Sequence, residues 1–285
     1  MPHQVFSYHS VREIQEKAEA LGISLPFAED TGALLQPAEF HGVTLPNRMG
    51  TAPMEGADSE ADGSPSALTE RRYLREAAGG SAVIWFEAVS IVPEGRSGAH
   101  QLYIHPGNTD AFRRLNEKLK EEGLRKNGFA PYLIMQANHS GRYSNPLGKP
   151  APLIAYRNPI CEKLRPADDS CIVSDDYLKE LEEKFGEAAL LAREAGFDAV
   201  DVKACHGYLL MELLSAYTRP GAYGGSFENR RRLLLNTVRA ARAQEAKDFR
   251  VTARISIYDG FPGRMALAFR KEAERSRILP SLSAW

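Results

Sequence analysis

Long apolar runs are missing from this chain. No stretch of about 18 apolar residues occurs in its 285 residues, and residues 1–22 hold no apolar core of signal-peptide length, so neither a membrane span nor a secretory leader is expected. Cysteine is scarce. Cys161, Cys171 and Cys205 are odd in number and show no CxxC spacing, which speaks against a disulfide framework or a zinc site and for a reducing compartment. An excess of one charge is missing as well: 36 basic residues face 37 acidic ones, so bulk charge attracts no nucleic acid. There is no GxGxxG after a strand, no Walker loop, no HExxH and no GxSxG, which removes the commonest signals for dinucleotide folds, P-loop enzymes, zinc proteases and serine hydrolases. The expectation is a soluble, cytoplasmic protein without nucleic-acid or membrane partners.

What is present can fill a core. Hydrophobic residues make up 43% and charged residues 26%, and the length suits one α/β barrel or two domains. A polar helix is expected over 10–20, with Ser10 as cap and Glu13 three residues on. A short hairpin is expected within 34–47, as a plug under a barrel. Apolar strands then recur at 48–54, 82–89, 131–136, 199–202 and 249–256, separated by helical patterns at 69–78, 110–122, 175–195 and 230–246. The first of these strands ends at Pro53, which cannot donate to a central ladder. A Pro-rich excursion over 143–174 is long enough to cover a site or make contacts.

Polar residues gather at the C-terminal ends of these strands: Glu55, Glu87, Gln136, Lys203 with His206, and Arg254. That face carries ligands in parallel α/β proteins, so the pattern predicts an α/β fold of the TIM (β/α) barrel type, with a doubly wound open sheet as the alternative. The stretch 198–210 is the richest, placing an ammonium (Lys203), an imidazole (His206) and a phenol (Tyr208) within six residues. Tyr208 carries a proton that a base or carbanion could take. The plainer reading is a buried polar strand end satisfied by its neighbours. For Glu87 the plainer reading is an ion pair with a loop arginine such as Arg96.

Five motifs in order resemble the old yellow enzyme family of FMN-dependent NAD(P)H:flavin oxidoreductases, or ene-reductases. They are Asn47-Arg48 with Ala52-Pro53-Met54; Glu87-Ala88 with Pro93-Glu94-Gly95-Arg96; Gln136-Ala137-Asn138-His139-Ser140-Gly141-Arg142; His206-Gly207-Tyr208; and Tyr223-Gly224-Gly225-Ser226-Phe227-Glu228-Asn229-Arg230. The resemblance spans about 34–256 and implies a TIM barrel, FMN as cofactor, NAD(P)H as electron donor and a small-molecule substrate with an electron-poor C=C. It further implies that Ala52, Pro53, Met54, Glu55, Ala88, Gln136 and Arg254 contact the flavin ring. Lys203 and His206 would bind the substrate carbonyl, and Tyr208 would donate the proton.

Two features depart from the family pattern. The carbonyl-binding pair usually holds two histidines, or histidine and asparagine, whereas Lys203 is its first member here. An ammonium stabilises a developing enolate more strongly than a neutral donor does; alternatively Lys203 pairs with Glu55 or Glu87 and never meets substrate. Second, only 29 residues follow Ser256, fewer than three further βα units need. The expectation is an incomplete barrel of about five βα units, truncated or frameshifted. Residues 1–33 would form a helical extension, 34–263 the N-terminal part of the FMN-binding barrel, and 264–285 a tail outside the family. An inactive fragment, binding flavin weakly or associating with copies of itself through open sheet edges, is the competing functional reading.

Overall fold

A computed structural model of the chain describes residues 5–28, 30–40 and 42–256. The tail expected at 264–285, and the end of the barrel segment at 257–263, lie outside the described residues.

Helix α1 (Val11–Ala20) starts where expected, because the Ser10 hydroxyl accepts from the Glu13 amide. The Glu13 carboxylate reaches back one residue further than a capping box requires, to the amide of His9. Strands β1 (Ala38–Phe40) and β2 (Val43–Leu45) form the hairpin. The first barrel strand, β3, is shorter than predicted, only Gly50–Thr51, since the chain leaves the ladder ahead of Pro53. It leads through a polar loop to α2 (Ala67–Ala78), which Ser66 and Thr69 start with reciprocal capping hydrogen bonds. Then follow β4 (Val83–Ser90), α3 (Thr109–Asn127), β5 (Tyr132–Asn138), a short α4 (Pro159–Leu164) inside the long excursion, α5 (Asp175–Glu194) capped by Ser174, and β6 (Ala199–Ala204).

After β6 the chain departs from expectation. A short helix, α6 (Leu209–Leu214), follows the strand directly. The single helix expected over 230–246 is two: α7 (Phe227–Arg230), capped by Ser226, and α8 (Arg232–Arg242). Arg230 ends α7, and its guanidinium donates to the carbonyls of Leu214 and Gly225. Strand β7 (Arg250–Ile255) closes the described chain.

Strands β3 to β7 form one parallel sheet in sequence order. Period-two alternation gives the sheet two faces. Ile84, Phe86, Leu133, Met135, Val200 and Val202 pack outward into the main core beneath α2, α3, α5 and α8. Each such large side chain contributes about 1.5–3 kcal/mol by leaving water. The inner face carries Val83, Trp85, Ile134 and Ala199, and Phe40 and Leu45 of the hairpin pack under it as the expected plug. Among the described residues, β3 and β7 each pair on one side only.

Candidate functional site

The inner face is layered by register. Trp85, Ile134, Ala199 and Arg250 lie opposite one another in one row, and Ala88, Gln136, Asp201 and Thr252 in the next; above them Lys203 pairs with Arg254. A bulge in β4 sets this up. Between Trp85 and Ala88 the strand spends one more residue than β5 does, so Ala88 returns to the inner face while Glu87 turns outward.

Glu87 therefore does not meet Arg96, as the sequence suggested. It pairs with Arg72 at 2.6 Å and accepts from the Tyr73 hydroxyl at 3.2 Å, while its second oxygen accepts from the amide of Gly56 at 3.0 Å. Arg96 binds the carbonyls of Ala61 and Ala99 instead. Burial raises the Glu87 pKa and Arg72 works against it. Glu87 thus anchors the loop that presents Glu55. That loop is strained: Ala57 has φ 48°, and the one other non-glycine residue with positive φ among those described is His206, at 62°. Both lie in the site loops, where strain is commonly held by surrounding structure.

The expected site residues converge. Lys203 is 3% exposed and its ammonium lies 4.0 Å from the centre of the Tyr208 ring, a cation–π geometry. It lies 3.5 Å from the Glu55 carboxylate, so the Glu55 pairing holds and the Glu87 alternative does not. The same Glu55 oxygen accepts from the Tyr208 hydroxyl at 3.2 Å, and its other oxygen from Ser97 at 2.6 Å. Burial pushes the Lys203 pKa down, against the pull of Glu55. Tyr208 is raised by burial and by Glu55, so its phenol stays protonated. His206 is exposed at the rim, and its pKa is lowered by desolvation and by the positive charges of Lys203 and Arg254. The Tyr143 ring stands 5.5 Å from that of Tyr208, as a wall supplied by the excursion.

Below this cluster opens a cavity of about 560 Å³, lined by Ala52, Pro53, Trp85 and Arg254 among others, within the range of small-molecule sites. Among the described residues the Arg254 side chain makes no hydrogen bond or ion pair. Gln136 gives its amide nitrogen to Asp201 at 2.7 Å, and its oxygen has no partner among the described residues. Met54 is 77% exposed beside the cavity. Apolar walls with a guanidinium uncommitted among the described residues fit a planar, partly polar ring system such as a flavin. The described residues include no cluster of His, Cys, Asp and Glu able to hold a metal ion, and no helix long and apolar enough to cross a membrane.

Sequence reasoning missed Ser97, Tyr143 and Asp201. Asp201 was legible: an acid two residues before Lys203 on an alternating strand must share its face. Ser97 and Tyr143 reach the site only through loop conformation.

A sequence profile of the NADH:flavin oxidoreductase / NADH oxidase family matches residues 33–268. An NADPH dehydrogenase of Bacillus velezensis is 33% identical over 231 residues, covering 79% of this chain and 64% of that protein. One from Halalkalibacterium halodurans is 34% identical over 196 residues, 68% of this chain and 54% of that protein. The chain thus spans less than two thirds of the length of these curated relatives. The crystal structure of Old Yellow Enzyme from Pichia sp. AKU4542 superposes with a TM-score of 0.72 at 23% identity, over 88% of this chain and 67% of that one. That agreement covers the α/β barrel fold, and together with the profile it means that the chain belongs to the NADH:flavin oxidoreductase / NADH oxidase family.

Proposed function

We propose that the chain carries the ring-binding and substrate-binding half of an FMN-dependent oxidoreductase that uses NAD(P)H to reduce an electron-poor C=C next to a carbonyl. FMN with NAD(P)H as electron donor is the pairing of this family. Ala52, Pro53, Met54, Glu55, Ala88, Gln136 and Arg254 would hold the ring. When bound, the cofactor supplies two-electron hydride chemistry.

The protein's own residues do the rest. Lys203 and His206 donate to the substrate oxygen and stabilise the charge that develops on it. Tyr208, kept protonated by burial and by Glu55, gives its proton to the neighbouring carbon. Tyr143 screens the cluster from water. The observation that carries this reading is a buried ammonium, 4.0 Å from a phenol ring, beside Arg254, which lines a largely apolar cavity. The reading includes a small-molecule substrate and a cytoplasmic setting, which suits three cysteines with no CxxC spacing.

Tyr208→Phe tests it. In stopped-flow absorbance, oxidation by an enone should slow by roughly 10²- to 10⁴-fold, while reduction by NAD(P)H stays nearly unchanged. Equal slowing of both half-reactions would remove Tyr208 from the proton step.

A further inference from the structure

Asp201 takes no part in the scheme above, yet it is the most deeply buried ionisable group beneath the site. Its side chain is 0% exposed on the inner face of β6. It accepts from the Gln136 amide nitrogen at 2.7 Å on one side and from the Thr252 hydroxyl at 3.2 Å on the other. Register places these three residues in one row, so the bonds run across three adjacent strands. Isolated burial of a carboxyl is costly, so such a group is held by the partners that need it.

An ionised carboxylate has no proton to give. Facing Asp201, Gln136 must therefore turn its nitrogen toward the carboxylate, with its oxygen pointing away from it. That oxygen has no partner among the described residues. We infer that Asp201 is a positioning residue of the cofactor site: it fixes the orientation of the Gln136 amide so that the oxygen, an acceptor, meets the imide N–H of a flavin ring. The inference rests on the flavin-binding reading and deepens it. The orientation selects the chemistry of the ligand edge, a donor N–H flanked by carbonyls, of which Arg254 can serve a carbonyl.

The charge environment of Asp201 is simple. From β7 it faces Arg254; beyond the end of its own strand lies Cys205. Neighbouring β5 contributes Gln136, and β4 contributes Trp85, both of which favour the carboxylate. Burial dominates and pushes Asp201 up to about 6. At pH 7.5 it is an acceptor only. Below about pH 6 the carboxyl gains a proton, can donate to the Gln136 oxygen, and no longer dictates the amide orientation.

The test compares two probes, riboflavin and N3-methylriboflavin, which lacks the imide N–H. Both are titrated into the cofactor-free 285-residue chain and followed by flavin fluorescence. At pH 7.5 the unmodified chain should prefer riboflavin by at least about tenfold, one good hydrogen bond in a buried setting. Asp201→Asn, whose amide can donate to Gln136, should cut the preference to within about threefold while circular dichroism shows the fold retained. An unchanged preference in the folded variant overturns the role of Asp201. The pH series needs no variant: the preference of the unmodified chain should fall as the pH drops from 7.5 to 5, and a constant ratio over that range also overturns it. If the chain binds neither probe at any pH, the flavin reading fails, and the role of Asp201 falls with it. Tight binding of riboflavin without discrimination leaves the flavin reading standing and refutes only the positioning role.

Discussion

In the proposed reaction, Glu55 is the residue that touches Lys203, Tyr208 and Ser97 at once. It accepts from Tyr208 and Ser97 and lies 3.5 Å from Lys203, so it competes with any oxyanion brought to that ammonium. A phenolate resting over a bound flavin imitates an enolate and perturbs the flavin spectrum, so its affinity is read directly by titration. Glu55→Gln removes the competing charge and should tighten phenolate binding about three- to tenfold, the scale of a partly exposed charge pair. Lys203→Met and His206→Ala should each weaken it by more than about twofold. If His206→Ala stays within twofold, the exposed His206 is a rim residue that does not bind the oxyanion. If Lys203→Met loses the fold while ligand affinity is intact in the folded remainder, the pairing with Glu55 is structural.

At the scale of elements, two buried networks hold the loops over the sheet. Arg142, 3% exposed, donates to Glu212 of α6 at 2.5 Å and 2.9 Å and to Glu162 of α4 at 3.0 Å. The second oxygen of Glu212 binds the amide of Ala155, so this cluster pins the 143–174 excursion, and Tyr143 with it, to the helix after β6. Arg142→Met strands a buried carboxylate and should cost about 3–5 kcal/mol in urea denaturation; less than about 1 kcal/mol would mean that the excursion is held elsewhere. The second network lies at the exit of β5. The Gly141 amide donates to His139 Nδ1 at 3.1 Å, which leaves Nε2 to donate to Tyr177, 2.8 Å away, and Tyr177 donates to Glu94 at 2.9 Å. Burial pushes His139 down to about 3, while it pushes Asp201, on the inner face of β6, up to about 6.

The two shifts have opposite consequences. The depressed histidine contributes stability that is present above its unfolded value near 6.5 and is lost as the pH falls toward 3. The raised aspartate contributes stability that is present below about 3.9 and lost as the pH rises through about 6. Between pH 6 and 4 they oppose each other. Relative to the unmodified chain, His139→Gln should therefore gain about 1 kcal/mol per pH unit on acidification, and Asp201→Asn should lose a similar amount. Parallel pH profiles for all three chains in urea melts would refute both assignments.

For the whole molecule, the open edges matter most. Among the described residues β3 and β7 present unpaired backbone on their outer sides. Val5, Phe6, Leu21, Ile23, Leu25 and Phe27 of the N-terminal segment are exposed as well. Edge pairing and apolar exposure both favour association between copies. Light scattering across a dilution series should give a mass that rises with concentration; a constant 31.5 kDa would show that the edges are covered.

Much of the fold is legible in the sequence because it follows from local rules. Short apolar runs mark β4 to β7, Ser10, Ser174 and Ser226 mark helix starts, and Pro53 marks the end of β3. The convergence of Lys203, His206 and Tyr208 is legible for the same reason: all three lie within six residues at the C-terminal end of one strand. What sequence alone did not decide are pairings between segments far apart. Whether Glu87 meets Arg96 or Arg72 depends on a bulge in β4, which turns that carboxylate toward α2. The partners of the Arg230 guanidinium are the carbonyls of Leu214 and Gly225, which only the folded chain brings within reach. The orientation of the Gln136 amide depends on Asp201, 65 residues away, because register across β5 and β6 sets which polar groups share a row. Local periodicity fixes the face a side chain occupies; its partner on that face is decided by strand register and loop path, which only tertiary structure supplies.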